Sequence, residues 1–298
     1  MVTVNLRTKS PKAKVAGMPR TLEVDTAGTV DSLVAALGKA TKLGPERIRL
    51  TLVDNTRLVP GTPLEKYDLQ EKSIIYVKDL GLQIAWSTVF YFEYAGPIVV
   101  HLIAYNASKW FYGVDYEYTK TQTAVYYMML IHFFKRELET RFVHRFSNAT
   151  MPIANIFRNS FYYTLLSGFL ISYAVYSPVA RPDLPPFSFK GLIFFWTWAE
   201  FSNFLTHLNL SSLRPVGTTV RKIPVGYGFD LISCPNYFFE SMGWLAIALL
   251  TRSWAAALTF VFFTATMYNW AVGKHLRYKR EFKEKYPKNR KAMFPFIA

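Results

Sequence analysis

Trp254-Ala255-Ala256-Ala257-Leu258-Thr259 opens an apolar run that continues to Val272. Gly273-Lys274-His275-Leu276-Arg277-Tyr278 then turns the chain into a basic segment that passes Tyr286-Pro287-Lys288-Asn289-Arg290 and reaches Phe294-Pro295-Phe296. An apolar run near the bilayer's hydrocarbon thickness reads as a membrane helix, so the polar tail hangs from a membrane. At helical spacing His275, Tyr278, Phe282 and Tyr286 share one face, while Arg277, Arg280, Glu281 and Glu284 lie largely away from it. A plain positive-inside anchor needs only the charges. The added histidine and tyrosines fit a pocket for a large anionic cofactor, the alternative being a solvated basic tail with an interfacial aromatic belt.

The same texture extends upstream. Charge is concentrated in residues 1–80 and in the tail, whereas 81–272 is rich in Phe, Tyr, Trp and Leu. Apolar runs at 84–106, 121–134, 159–177, 188–208, 231–251 and 254–272 predict a multi-pass α-helical membrane protein of about six transmembrane helices, with a seventh, re-entrant or split, over Ile223 to Cys234 as the other count. Lys135, Arg136, Arg141, Arg145 and Arg158 in one loop, and Arg214, Arg221 and Lys222 in another, fall on the side of both termini. The loops around Lys109 to Lys120 and Arg181 to Asp183 are balanced, so both termini are expected in the cytosol. The net charge of +15 therefore belongs to membrane flanks, and no nucleic-acid partner is expected. Cys234, the single cysteine, excludes an intrachain disulfide and a cysteine zinc cluster, and the 5 histidines look too scattered for a metal site. The amino terminus lacks the apolar core of a secretory signal.

Residues 1–78 read as a soluble head. Val2, Val4 and Leu6 alternate with polar residues, and Leu22 and Val24 follow a turn-rich stretch, which predicts a β-hairpin. Thr29 caps a helix from Val30 to Lys39, and Ile48 to Leu52 and Ile74 to Val77 supply two more strands. The order ββαββ resembles a ubiquitin-like β-grasp domain. Residues 79–298 form the second predicted domain.

Polar residues inside apolar runs are the candidates for chemistry. A carboxylate at the bilayer centre costs about 2.5–3.5 kcal/mol on insertion scales, so Glu93, within Phe90-Tyr91-Phe92-Glu93-Tyr94, faces a cavity or a partner. Gln83 reads either as an interfacial amide or as part of the site. His132 and Arg136, one turn apart, either clamp a phosphate or leave Arg136 snorkelling to the surface. Asn203 and His207 share a helix face, which suits a nucleotide running into a helical bundle or, equally, helix-packing glue. In Ser233-Cys234-Pro235-Asn236-Tyr237, Pro235 starts a helix, so Asn236, Tyr237 and Glu240 project from its opening turn. The Tyr237 phenol reads as a donor to a carbonyl oxygen or as an interfacial tyrosine. No G-x-G-x-x-G fingerprint is present, so a nicotinamide cofactor must be held by helices.

Together these residues resemble the very-long-chain trans-2-enoyl-CoA reductases of the endoplasmic reticulum, in the steroid 5α-reductase superfamily. The likeness is nearly full length. It is carried by the head, Glu93-Tyr94-Ala95-Gly96-Pro97, Lys135-Arg136-Glu137-Leu138-Glu139-Thr140, Leu213-Arg214-Pro215, Ser233 to Tyr237 and the tail from Gly273 to Phe296. It implies NADPH bound by Arg136, Asn203, His207, Arg214, Asn236, His275 and Tyr278, although His207 stands where steroid-reducing members carry an acid. It implies that Gln83, Glu93 and Tyr237 matter for activity, with Tyr237 donating to the thioester oxygen or delivering the proton and Glu93 orienting it or a water. Phe133 replaces a tyrosine that steroid-reducing members use, which argues against a steroid substrate. The implied partners are a trans-2-enoyl-CoA, membrane lipid and other fatty acid elongase components, in the endoplasmic reticulum membrane. The competing readings are a reductase of a polyprenal or sterol double bond, an S-adenosylmethionine-dependent membrane methyltransferase, and a non-catalytic scaffold.

Overall fold

The computed structural model describes residues 1–10, 13–146, 149–180, 184–215 and 222–297. Arg181 to Asp183 and Arg221, used in the charge count above, lie outside the described residues. The chain divides into two compact units, one of residues 1–85 with 150–153 and one of residues 86–149 with 154–298.

In the first unit, β1 (Val2–Arg7), β2 (Thr21–Val24), β3 (Ile48–Thr51) and β4 (Ile74–Asp79) make a mixed sheet in the order β2-β1-β4-β3, with β1 and β4 parallel. Alternation sets its faces: Val4 and Leu6 of β1, Leu50 of β3 and Ile75 and Val77 of β4 are buried. The helix α1 (Val30–Thr41) covers them with Val30, Leu33, Val34 and Leu37, a stripe at i, i+3, i+4 and i+7. Thr29 caps it, its hydroxyl accepting from Ser32 N at 3.4 Å, and Lys42 ends it in the left-handed region. A short ribbon, β5 (Gln83–Ala85) with β6 (Thr150–Pro152), completes this unit.

The second unit is helical. It comprises α2 (Trp86–Asn106), α3 (Ser108–Tyr112), α4 (Lys120–Phe142), α5 (Ala154–Tyr162), a π-helical segment (Tyr163–Leu170), α6 (Ile171–Val175), α7 (Pro186–Ser212), α8 (Pro235–Thr251) and α9 (Trp254–Phe282). α2 packs on α4 and on the π segment, α7 on α8, and α8 on α9. Around these contacts Tyr94, Met129, Phe133, Trp196, Trp244 and Ile247 form a continuous apolar core. Gly168 makes the π segment's close approach to α2 feasible, since a Cβ there would lie 3.3 Å from Pro97 Cα.

The structure overturns the expectation of about six transmembrane helices, or seven. Two helices among the described residues are long and apolar enough to cross a membrane, Trp86–Asn106 and Trp254–Lys285. The reason differs from run to run. α4 extends its apolar stretch through Lys135, Arg136, Glu137, Glu139 and Arg141. Residues 159–177 are divided among α5, the π segment and α6. α7 has the length but carries Glu200, Asn203 and His207 along its buried face, and α8 has 17 residues. Residues 223–234 hold no helix; they turn, and Ile232 bridges to Lys291.

Candidate functional site

The polar residues of the second unit gather where α4, α7 and α8 meet and where the tail returns to α8. On α4, Arg136 is the hub of the first cluster. Its guanidinium donates to Glu139 Oε2 at 2.6 Å and to the Tyr94 hydroxyl at 2.9 Å, and lies 5.2 Å from the centre of the Tyr94 ring. His207 of α7 meets the same Glu139 oxygen at 2.9 Å, and His144 Nε2 lies 3.5 Å from His207 Nδ1. Burial alone would raise Glu139, but its charged and hydrogen-bonding neighbours, His207 and Arg136 first, hold its carboxyl well below the usual carboxylate range. Burial pushes His144 down to about 2, with Arg136 adding to the effect.

Histidines that look scattered in the sequence thus converge: donor atoms of Glu139, His144 and His207 all lie within 4.8 Å of one another. Arg136 already places a cation against two of the three donors, so the cluster works as a charged hydrogen-bond network.

One turn along α4, His132 bridges two carboxylates, Glu200 Oε1 at 2.7 Å and Glu240 Oε1 at 3.3 Å. Lys135 donates to Glu200 Oε2 at 2.6 Å and to Asn203 Oδ1 at 2.8 Å. Asn203 in turn donates to the Asn236 carbonyl at 2.9 Å, joining α7 to the first turn of α8. Gly243 permits this approach, since a Cβ there would sit 3.3 Å from Glu200 Oε1.

A third cluster centres on Ser233, whose hydroxyl lies 2.6 Å from both His275 Nδ1 and the Tyr286 hydroxyl and donates to Lys291 O at 3.0 Å. The Tyr278 and Tyr286 rings lie 5.7 Å apart, and the Arg290 guanidinium sits 5.2 Å from the Tyr286 ring. Helix periodicity ends at Phe282, yet the Tyr286 ring rejoins His275 and Tyr278 through the turn that follows. Tyr237 stands apart from this cluster, with Lys274 Nζ 4.6 Å from its ring centre and the Trp270 ring 6.2 Å away.

Of the residues singled out in the sequence, the fold brings together Arg136 with His207, Asn203 with Asn236, and His275 with Tyr278. Arg214 pairs reciprocally with Arg145, each guanidinium donating to the other's carbonyl. Glu93 is buried, its Oε2 without a hydrogen-bond partner, and no hydrogen bond joins it to Tyr237 among the described residues. Gln83 makes its contacts within the first unit, donating to Leu80 O at 2.9 Å and accepting from the Thr150 hydroxyl at 3.3 Å. Tyr94, Glu139, His144, Lys274 and Arg290 were not singled out. Glu139 was findable as the i+3 partner of Arg136, whereas Lys274 and Arg290 read in sequence only as tail charge.

The family profile described as 3-oxo-5-alpha-steroid 4-dehydrogenase matches residues 149–298. Over 285 residues the chain is 46% identical to a putative enoyl reductase of Schizosaccharomyces pombe, covering 95% of this chain and 96% of that one. It is 37% identical to the very-long-chain enoyl-CoA reductase of Dictyostelium discoideum, over the whole of both chains. A trans-2,3-enoyl-CoA reductase-like protein of Mus musculus is 28% identical over 75% of this chain. On these matches the chain belongs to the 3-oxo-5-alpha-steroid 4-dehydrogenase family.

Proposed function

We propose that this protein reduces the trans-2 double bond of a very-long-chain enoyl-CoA to the saturated acyl-CoA, with NADPH as reductant, in the endoplasmic reticulum membrane. The observation that carries the reading is the likeness over nearly the whole chain to relatives named enoyl reductases. The proposal extends to a ubiquitin-like head ahead of the catalytic part and to work alongside other elongase components.

The residues present fit a phosphate-bearing dinucleotide. Asn203 and Asn236 are buried amide residues on adjoining helices, and Arg290 is buried with its Nε lacking a hydrogen-bond partner among the described residues. The unused Arg290 donor suits a phosphate oxygen. Asn203, Asn236, Arg214, His275 and Tyr278 would hold the cofactor, together with His207 on α7 and Arg136 on α4. Bound there, NADPH supplies a hydride for the β-carbon of the unsaturated thioester.

The protein's task is then to stabilise the negative charge that develops on the thioester oxygen and to bring a proton to the α-carbon. Tyr237, in the opening turn of α8, is the phenol for that proton. Arg136 is held rigid by Glu139, Tyr94 and His207, so it enters the reaction already oriented.

The test is NADPH oxidation by the detergent-purified protein with a long-chain trans-2-enoyl-CoA, the saturated product being identified by mass spectrometry. Turnover is expected. Reduction of a free enal or enone with no thioester turnover would move the substrate to a polyprenal or sterol.

A further inference from the structure

Lys274 differs from the two paired cations of α4. Lys135 meets Glu200, and Arg136 meets Glu139. Lys274 is half-buried on α9, and among the described residues no carboxylate pairs with it. Its ammonium lies 4.6 Å from the centre of the Tyr237 ring, and the Cys234 thiol and Tyr278 also act on its charge. A half-buried ammonium without a permanent anion is costly, and the neighbours that could relieve it are groups that become anionic only by losing a proton. Tyr237 lies along one face of α9, since Trp270 and Lys274, four residues apart on that helix, both lie against its ring. α8 and α9 pack together after the Arg252–Ser253 turn, which sets the opening turn of α8 beside this late stretch of α9.

We propose that Lys274 is the positioning residue of the reduction: its ammonium orients the Tyr237 phenol and neutralises the charge left on that oxygen once the proton has gone to the substrate. The inference rests on the reductase reading above. With hydride delivered to the β-carbon by the reduced dinucleotide, the π pair moves toward the thioester oxygen and returns as the α-carbon takes the Tyr237 proton. The C–H bond forms, the O–H bond breaks, and the phenolate remains beside the Lys274 ammonium until water reprotonates it. Lys274 touches neither reacting carbon; it acts through Tyr237, so losing it costs the transition state and spares ground-state binding.

The experiment compares wild type, Lys274→Met, Lys274→Arg, Tyr237→Phe and the Tyr237→Phe/Lys274→Met double variant in the enoyl-CoA assay. Dinucleotide affinity is measured separately by fluorescence titration. Lys274→Met is expected to lower kcat by about 10²-fold, in the range general acid catalysis contributes, with KM and dinucleotide affinity near wild type. Lys274→Arg, which keeps the charge, restores most of the loss. In the Tyr237→Phe background Lys274→Met adds little, because the pair acts as one unit. Full activity of Lys274→Met, an additive loss in the double variant, or a fall in dinucleotide affinity matching the fall in rate each overturns the proposal. A wild-type protein inert toward the thioester refutes the reductase reading itself, whatever the variants do.

Discussion

At the scale of single residues, Glu139 decides whether the Arg136 cluster is an asset or a liability. Its side chain is 1% exposed and serves Arg136, His207 and, at 3.8 Å, both Lys135 and His144. Glu139→Gln removes the anion from a buried guanidinium, and breaking a buried pair in this one-sided way costs about 3–5 kcal/mol. A matching fall in the thermal unfolding midpoint is expected. Glu284→Gln serves as the control: its pair with Lys288 is solvent-exposed, and pairs of that kind contribute about 0–1 kcal/mol. A loss from Glu139→Gln no larger than that of the control would mean that solvent reaches Arg136. The sequence offered Arg136 and His207 as cofactor residues but left out the carboxylate between them. Residue types mark capacity for charge, while the pairing partner is chosen by helix azimuth.

At the scale of elements, α4 shows how one residue can serve both a helix and its neighbours. Thr119 and Gln122 form a reciprocal capping box, Gln122 N donating to the Thr119 hydroxyl at 3.2 Å and Thr119 N to Gln122 Oε1 at 2.9 Å. The same Gln122 amide nitrogen lies 2.9, 3.0 and 2.9 Å from the carbonyls of Val175, Ser177 and Ala180, which share its two N–H groups, and so ties the start of α4 to the end of α6. Gln122→Ala is expected to destabilise by roughly 1–3 kcal/mol for each buried acceptor it leaves unsatisfied, and chemical denaturation of the purified variant measures it. A change under about 0.5 kcal/mol, the size of a neutral surface substitution, would show that water takes over these carbonyls. Helices fall within every apolar run named in the sequence, and α8 begins at Pro235 as its position predicts. What the runs concealed was continuity. Residues 159–177 are interrupted by a π segment whose wider turn fits Gly168 against Pro97, a contact that no local pattern encodes.

At the scale of the whole molecule, the stability of the charged network depends on pH with a definite sign. His144 is held down to about 2 from 6.5, and Glu139 is held below its ordinary 4.5, so in both cases the unfolded chain binds the proton more readily than the folded one. Stability then rises with pH wherever the unfolded state carries more protons. It is complete above the unfolded histidine value, declines as pH falls below about 6.5, and declines more steeply below about 4.5, where Glu139 joins. Glu137, pushed up to about 7 by burial, acts with the opposite sign in the same window, so thermal unfolding of wild type is compared with His144→Gln between pH 7.5 and 4; an identical slope in the two proteins would remove His144 from the account. The charge on this network also explains the overturned span count. Segments that are apolar in a local window carry ion pairs once their full helices are drawn, and two helices keep the length and apolarity to cross a bilayer.

The sequence by itself determined the alternation that builds the sheet of the first unit, the positions of the helices of the second, the start of α8 at Pro235 and the family to which the chain belongs. These follow from short-range periodicity, capping and residue identity, which need no partner to be read. Only the tertiary structure decided that Glu139 joins Arg136 to His207, that His132 spans Glu200 and Glu240, that Arg290 keeps a donor beside Tyr286 unused among the described residues, and that Lys274 rather than Glu93 stands against Tyr237. Each of these is a contact between segments far apart in the chain. Its existence depends on the rotation of one helix against another, which the packing of the shared core sets and no local stretch of sequence specifies.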